Sequence, residues 1–494
     1  MAQWNGSTQV TIPRGTRLHW CAVREAGVLL APEKALILNS SAIATLLAID
    51  GQRTMQQIVS ALVDKYDSAE GQIEHDATSL ISGLLQQGIL SSNSTIAGAT
   101  TGQPVSPDAA LLPLELELAA ASSDGNRIAS GDPPWPIAML AELTHRCPLR
   151  CLYCSNPIEL TRRSDELRTQ EWRTVFQQAA DLGVLQVHLS GGEPAARQDL
   201  ADIVSDAAAS GLYTNLITSG VGLSPEKLDA CVDAGLDHVQ LSVQAADEPT
   251  ARSVSGYSNA MLIKRSVAEM VVSHGVPLTI NAVVHRLNLH QVEELIDLAH
   301  AWGARRIEIA HTQYHGWALT NRVTLMPSLE QVIAATEQVE RARAAFAGAM
   351  VIDYVKPDHF ARYPKACMGG WGRTALNVAP DGKVLPCHAA ETIPGLIPTN
   401  VRDRDLACIW RHSAAFEMFR GTGWMKEPCR SCPRKEIDFG GCRCQAYALT
   451  GNAAATDPTC EKADGHTAVL QNEWHSPPRE PTPVYRGGNP RAST

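Results

Sequence analysis

Hydrophobic patterning divides the chain into distinct regimes. From Ile137, short apolar or alternating runs recur: IAMLAEL (137–143), LQVHLS (185–190), YTNLIT (213–218), HVQLSV (238–243), PLTINAVV (277–284) and RRIEIA (305–310). Between them lie stretches of helical period, such as TQEWRTVFQQAADLG, stopped by Gly183, and NLHQVEELIDLAHAWG, stopped by Gly303. Six strand–helix units in succession predict an α/β region whose parallel sheet curves into a partial (β/α)6 barrel. In such folds the chemistry collects at the C-terminal ends of the strands.

Residues 15–90 follow another pattern. RLHWCAV, GVLLAP and ALILN read as three short strands, followed by helices. Asn39-Ser40-Ser41 offers an N-cap for AIATLLAID, which Gly51 ends; Thr54 opens TMQQIVSALVDKY, with Ile58, Val59, Leu62 and Val63 on one face. A third helix covers about 73–87, and the whole predicts a small α+β unit resembling a winged helix. Residues 91–132 are rich in Ser, Thr, Gly, Ala and Pro without periodicity, which predicts a flexible linker that lets the N-terminal unit move. Beyond 350 the alternation gives way, from about Cys367, to Gly, Pro and Cys, as in a domain (351–465) folded around metal. The end (466–494), closing in SPPREPTPVYRGGNPRAST, predicts a disordered tail.

Bulk properties narrow the function. A length of 494 residues exceeds what one core usually serves, and 44% hydrophobic with 19% charged residues is ordinary globular composition. A net charge of −10 argues against a general nucleic-acid binder. No apolar run approaches a membrane span and the N-terminus lacks a signal-peptide pattern, so a soluble, cytoplasmic protein is expected. Thirteen cysteines in a reducing compartment suggest metal ligation rather than disulfides. Cys21, Cys231 and Cys408 stand apart and read as small buried apolar residues.

The strand at 137–143 runs into THRCPLRCLYCS, placing Cys147, Cys151 and Cys154 on one tight loop. Four thiolates complete a four-iron cluster, so three leave one iron open to a substrate amine and carboxylate. The competing reading is a structural zinc site, which normally needs a fourth Cys or His nearby; His145 is not well placed for that.

The spacing Cys147-x3-Cys151-x2-Cys154, with Tyr153 before the last cysteine, resembles the radical S-adenosylmethionine superfamily. Ser190-Gly191-Gly192-Glu193-Pro194 after the second strand resembles that family's GGE motif, which implies binding of the methionine ammonium through close backbone approach and the Glu193 carboxylate. Ser242 and Gln244, after the fourth strand, match positions that contact ribose or carboxylate, and read equally as polar turn residues. The resemblance implies a [4Fe-4S] cluster, S-adenosylmethionine and a 5′-deoxyadenosyl radical that abstracts hydrogen from an unactivated carbon.

A second cysteine field supplies Cys367, Cys387, Cys429, Cys432, Asp438, Cys442, Cys444 and Cys460, enough for two auxiliary clusters. It resembles the SPASM extension of radical peptide maturases, with Asp438 where Cys is usual. Asp438 is either a harder ligand, giving a more labile or shifted iron, or a loop acid.

THRCPLRCLYCSNPIEL, HTQYHGWALTNR (311–322) and CMGGWGRTALNVAPDGKVLPCHAAE (367–391) narrow the resemblance to the PqqE family of pyrroloquinoline quinone biosynthesis, over about 133–465. That resemblance implies one cluster on Cys367, Cys387, Cys442 and Cys444, and another on Cys429, Cys432, Asp438 and Cys460. Residues 15–90 resemble PqqD, the chaperone of the precursor peptide PqqA, with the ALILN strand and third helix as candidate peptide groove. The implied reaction is a carbon–carbon bond between Glu and Tyr side chains of PqqA, with a flavodoxin-like electron donor. Gln313, Tyr314, His315 and Trp317, beyond the sixth strand, are substrate-pocket candidates or loop packing. Modification of another peptide, for example to a thioether, and a non-catalytic zinc-stabilised adaptor are the competing functions.

Overall fold

The computed structural model describes residues 5–66, 71–92, 133–464, 466 and 482–488. The N-terminal unit contains β1 (Val10–Thr11), β2 (Arg17–Cys21), β3 (Ala26–Ala31), β4 (Lys34–Ile37), α1 (Ser40–Leu47), α2 (Met55–Lys65), α3 (Gln72–Gln86) and β5 (Ser91–Ser92). β2, β3 and β4 form an antiparallel sheet with β3 central, so β4 is an edge strand. Helix starts follow the capping residues: the Asn39 side chain accepts from the Ala42 N–H, and Thr54 and Gln57 form a reciprocal capping box. Met55, Ile58 and Leu62 bury one face of α2, whereas Val63, expected on that face, is 52% exposed. It follows Leu62 directly and so turns about 100° away. Of the expected linker, Ser91 and Ser92 pair with β1 as β5, and 93–132 lie outside the described residues.

The barrel elements follow in order: β6 (Ala138–Thr144), α4 (Thr169–Asp181), β7 (Gln186–Gly191), α5 (Leu200–Ala209), β8 (Tyr213–Thr218), α6 (Pro225–Asp233), β9 (His238–Val243), α7 (Glu248–Ser255), α8 (Ala260–Ser273), β10 (Leu278–Val284), α9 (Val292–Ala301), β11 (Arg306–His311), α10 (Gly316–Thr320), α11 (Arg322–Leu325), α12 (Leu329–Ala345) and β12 (Val351–Val355). The six expected strands are all present, and β12 adds a seventh parallel one beside β11. Strands β6 to β12 lie in sequential order, as right-handed crossovers through helices require.

The C-terminal region holds β13 (Ala375–Val378), β14 (Lys383–Leu385), β15 (Thr399–Asn400), α13 (Leu406–His412), α14 (Ala414–Glu417), α15 (Lys435–Asp438) and α16 (Arg443–Thr450). β13 extends the sheet parallel to β6, and β14 and β15 continue it antiparallel, giving ten strands. Trp371, Leu376, Val378, Trp410 and Phe416 share one continuous core with the barrel strands. The boundary read at 350/351 therefore falls between α12 and a strand of the same sheet.

The N-terminal unit is docked rather than free. It covers the N-terminal ends of the barrel strands, where Cys21, Val28 and Leu30 pack with Leu185 and Tyr213. Arg24, 5% exposed, donates to the carbonyls of Gly183, Trp135 and Pro136. Gln186 Nε2 donates to Ala31 O (2.9 Å) and Lys34 O (2.7 Å). This face lies opposite the strand ends that carry the cysteine loop.

The expected disordered tail also departs from expectation at residues 482–488, where Val484 and Arg486 are buried against the cysteine loop. Composition pointed to disorder, and specific pairing with folded partners overrides it. Among the described residues no helix is long and apolar enough to cross a membrane.

Candidate active site and metal centres

The loop after β6 carries Cys147, Cys151 and Cys154, and several contacts fix its path. Arg150 N donates to Ser255 O (2.7 Å) and Leu152 N to Val254 O (3.0 Å), tying it to the end of α7. Leu149 and Leu152 are each 2% exposed and anchor it from below. His145 accepts from the Thr161 N–H at Nδ1 (2.9 Å), and its Nε2 lies 3.4 Å from Glu142 Oε2. Both ring nitrogens are thus occupied. The three thiols lie close enough to repel one another as thiolates. Burial pushes Cys147 up to about 11 and Cys151 up to about 12, and raises Cys154. Such thiols stay protonated until a metal displaces the proton.

The glycines after β7 meet the cysteine loop backbone to backbone. A Cβ on Gly191, at φ +116°, would stand 2.4 Å from Thr144 O; one on Gly192 would stand 2.3 Å from Arg146 O. Only glycine fits this cradle. Glu193 is fully buried. Oε1 accepts from Thr218 Oγ1 (2.7 Å) and Ala195 N (2.9 Å), and Oε2 accepts from the Ser219 N–H (2.6 Å) and hydroxyl. Four donors meet the carboxylate, so it braces the ends of β7 and β8.

Beyond β9, Gln244 Nε2 donates to the Tyr153 hydroxyl (2.9 Å), which also lies against Cys151. The Ser242 carbonyl accepts from Lys264 Nζ (2.7 Å), and the same ammonium donates to Ser219 O (2.6 Å). Lys264 is fully buried, and burial lowers it to about 8 despite nearby Cys151 and Glu193. No motif in the sequence marked this lysine as pointing inward.

In the C-terminal region Cys367, Cys387, Cys444 and Cys442 form a ring of sulfurs, each in hydrogen-bond contact with two others. Contact with Cys367, then Cys444, holds Cys387 and Cys442 well below the usual thiol range, while the other two are driven up. His388 lies against Cys387 and His315 against Cys442, with the two rings 6.2 Å apart. Burial opposes the His388 proton, but the Cys387 contact outweighs it and raises the imidazole to about 9. Among the described residues no three donors close on one point as ligands of a single bare ion do. A ring of four soft sulfurs suits an iron–sulfur cage.

Cys429, Cys432, Asp438 and Cys460 line a second, separate cavity with Pro428 and Thr456. Asp438 is 8% exposed; Oδ1 accepts from Gly440 N (3.0 Å), and Oδ2 lies 3.4 Å from Arg434 Nε.

Residues 141–299 match the radical SAM superfamily, 26–90 match coenzyme PQQ synthesis protein D (PqqD), and 367–433 match the iron–sulfur cluster-binding SPASM domain. A PqqA peptide cyclase of Methylocella silvestris is 59% identical over 356 residues, covering 71% of this chain and 95% of that protein. One from Rhizobium meliloti is 55% identical over 353 residues, covering 71% and 94%. The chain belongs to the PqqA peptide cyclase family. Among solved structures, Streptococcus suis SuiB bound to S-adenosylmethionine has a TM-score of 0.59 at 16% identity, covering 91% of this chain and 100% of that one, a likeness of fold.

Within this cyclase-family fold, the pocket candidates separate. Gln313 is exposed, and Tyr314 packs toward His359 and Arg322. Trp317, 1% exposed, packs behind the cysteine loop, where Ala318 N donates to Cys154 O (3.2 Å). His315 alone of the four faces the sulfur ring. One short turn, 315–318, thus touches both centres. Glu142, His388, Lys264 and Arg486 also face this region and escaped sequence reasoning, because no motif spacing marks them.

Proposed function

We propose that this chain forms a carbon–carbon bond between a Glu and a Tyr side chain of a PqqA-like precursor peptide, in pyrroloquinoline quinone biosynthesis. The observation that carries this reading is 59% identity across 95% of a PqqA peptide cyclase. A PqqD-type domain in the same chain supports it.

Cys147, Cys151 and Cys154 would hold the cluster that binds S-adenosylmethionine. Cys367, Cys387, Cys442 and Cys444 would hold one auxiliary cluster, and Cys429, Cys432, Asp438 and Cys460 the other. Bound there, the first cluster and S-adenosylmethionine supply a hydrogen-abstracting radical, and the auxiliary clusters supply an electron sink. The chain's own residues position these groups. Gly191 and Gly192 bring backbone to the cysteine loop, Gln244 holds Tyr153, and Glu193 fixes the ends of β7 and β8. Of the pocket candidates Gln313, Tyr314, His315 and Trp317, His315 is the one that touches a proposed cluster ligand, Cys442.

The N-terminal unit would bind the precursor along the free edge of β4. Its position gives delivery a length requirement. Strands of six or seven residues span about 20 Å, so peptide held at their N-terminal ends must pass around the barrel to the cysteine loop. A flavodoxin-like donor in the cytoplasm is the expected source of electrons.

The test is an anaerobic incubation of the full chain with a PqqA-like peptide, S-adenosylmethionine and reductant, read by mass spectrometry. A product lighter by two hydrogens, with the new bond mapped between Glu and Tyr, is expected. Cleavage of S-adenosylmethionine with the peptide mass unchanged would assign the chain to another peptide.

A further inference from the structure

Residues 482–488 return across the outer side of the cysteine loop and are built into it. Val484 and Asn321 exchange two hydrogen bonds, Val484 N to Oδ1 and Nδ2 to Val484 O, both 2.7 Å. The same Asn321 amide reaches Leu152 O (2.8 Å) within the loop. The Tyr485 hydroxyl donates to Ser253 O (2.7 Å), and the Arg150 guanidinium lies 5.8 Å from its ring. Arg486 N donates to Arg150 O (3.1 Å), and Arg150 Nε returns a bond to Arg486 O (3.2 Å).

This strap delivers a cation to the back of the three cysteines. Arg486 is 7% exposed, its guanidinium 5.8 Å from the Trp317 ring, and Nη2 donates to the His145 carbonyl. Its Nε is buried without a hydrogen-bond partner. Among the described residues no carboxylate lies in ion-pair range of it. A buried guanidinium without a counter-charge is costly, so the site implies an anion. The thiols it faces are Cys154 and Cys147. The guanidinium is within hydrogen-bond contact of the Cys154 thiol and within charge range of Cys147.

We propose that Arg486 is the buried counter-charge of the three-thiolate cluster, placed by the chain's own C-terminal strap, and that it sets how readily that cluster accepts an electron. Arg486 acts as a positioning and charge-balancing residue. The proposal rests on the reading that Cys147, Cys151 and Cys154 hold a [4Fe-4S] cluster. Reduction adds one electron from the external reductant without making a bond or moving a proton. The reduced, more negative form gains more from a fixed cation than the oxidised form, so Arg486 raises the potential. Net charge and hydrogen bonds to the sulfurs are among the levers that set such potentials.

The test uses anaerobically reconstituted full-length protein, titrated with reductant at controlled potential. The signal of the reduced cluster that responds to S-adenosylmethionine is followed by electron paramagnetic resonance. At the potential that half-reduces the wild type, R486Q should show a reduced-to-oxidised ratio about tenfold lower, a shift of about 59 mV for one electron. R486K should recover most of that loss. Y485F, which loosens the strap but keeps the charge, should titrate as wild type. The midpoint is read only from loaded cluster, so partial loading leaves it measurable. If R486Q loads no cluster while R486K does, charge is required and the proposal stands. It is overturned if R486Q titrates as wild type, if R486K and R486Q shift equally, if Y485F shifts as far as R486Q, or if neither Arg486 variant loads. Wild type lacking any S-adenosylmethionine-responsive signal would instead remove the cluster assignment itself.

Discussion

Gln244 Nε2 and the Tyr153 hydroxyl meet at 2.9 Å across 91 positions of chain, tying the end of β9 to the cysteine loop. Gln244 Oε1 is buried without a partner, so the amide depends on this one side-chain contact. Y153F should cost about 1–3 kcal/mol by leaving the amide unpaired, and should slow S-adenosylmethionine cleavage. The double variant Y153F/Q244L removes both polar ends and should recover most of the stability. Thermal melts of the singles and the double close the cycle. Additive losses would show that the two side chains are not coupled.

Arg24 satisfies three carbonyls around Trp135 and Gly183 from a buried position. Replacing it by alanine strands those carbonyls in the docking interface and should weaken docking by about 2–4 kcal/mol. Limited proteolysis should then release the N-terminal unit faster than in wild type. The basal cleavage of S-adenosylmethionine should persist, because the interface lies at the opposite strand ends. Release at the wild-type rate would mean that other contacts carry the docking.

Glu33 gives docking a pH dependence. Burial, then the neighbouring Glu308 charge, raises its carboxyl from 4.5 to about 7, against Arg306 and Lys34 and with Asp353 adding to the rise. The docked form therefore holds the proton more tightly than the free unit does. Its stabilisation is fully present below about pH 4.5 and is lost as pH rises through about 7. The change is on the order of 2 kcal/mol. Domain release measured across that window should accelerate with pH in wild type, and E33Q should flatten the profile. An identical profile in E33Q would assign the effect elsewhere.

Asp438 differs from a surface loop acid in being 8% exposed and facing the cavity of Cys429, Cys432 and Cys460. D438A should lower iron and sulfide per chain by one cluster's worth, while the S-adenosylmethionine-responsive signal stays. D438C should keep the iron and change its spectrum, since thiolate is the softer donor. Full iron content in D438A would show that the carboxylate is not a ligand.

Much of the fold is legible because parallel strands write a repeating signal. β6 to β11 were each announced by an apolar run, since both faces of such a strand are buried. β12 was missed because VIDYV carries charge and sits at an edge, half-exposed. The cysteines read as candidate ligands were legible because metal ligation calls for a rare residue, and most of them recur at short spacing. Glu193 was legible as a motif but its protein partners were not, because Thr218 and Ser219 are brought beside it by the next strand.

The sequence by itself carried the resemblance to the radical S-adenosylmethionine superfamily, because Cys147, Cys151 and Cys154 lie on one loop whose local spacing needs no distant partner. Composition and periodicity also determined that the chain has a small N-terminal α+β unit, a barrel and a cysteine-rich region, and the PqqD likeness of the first came from resemblance to that family. Tertiary structure alone decided what surrounds those sulfurs. Lys264 arrives from α8, His315 from the turn after β11 and Arg486 from beyond residue 480, each carried there by packing between elements far apart in the chain. A local pattern records what a residue is, whereas the charge it meets is set by long-range contacts that no spacing encodes.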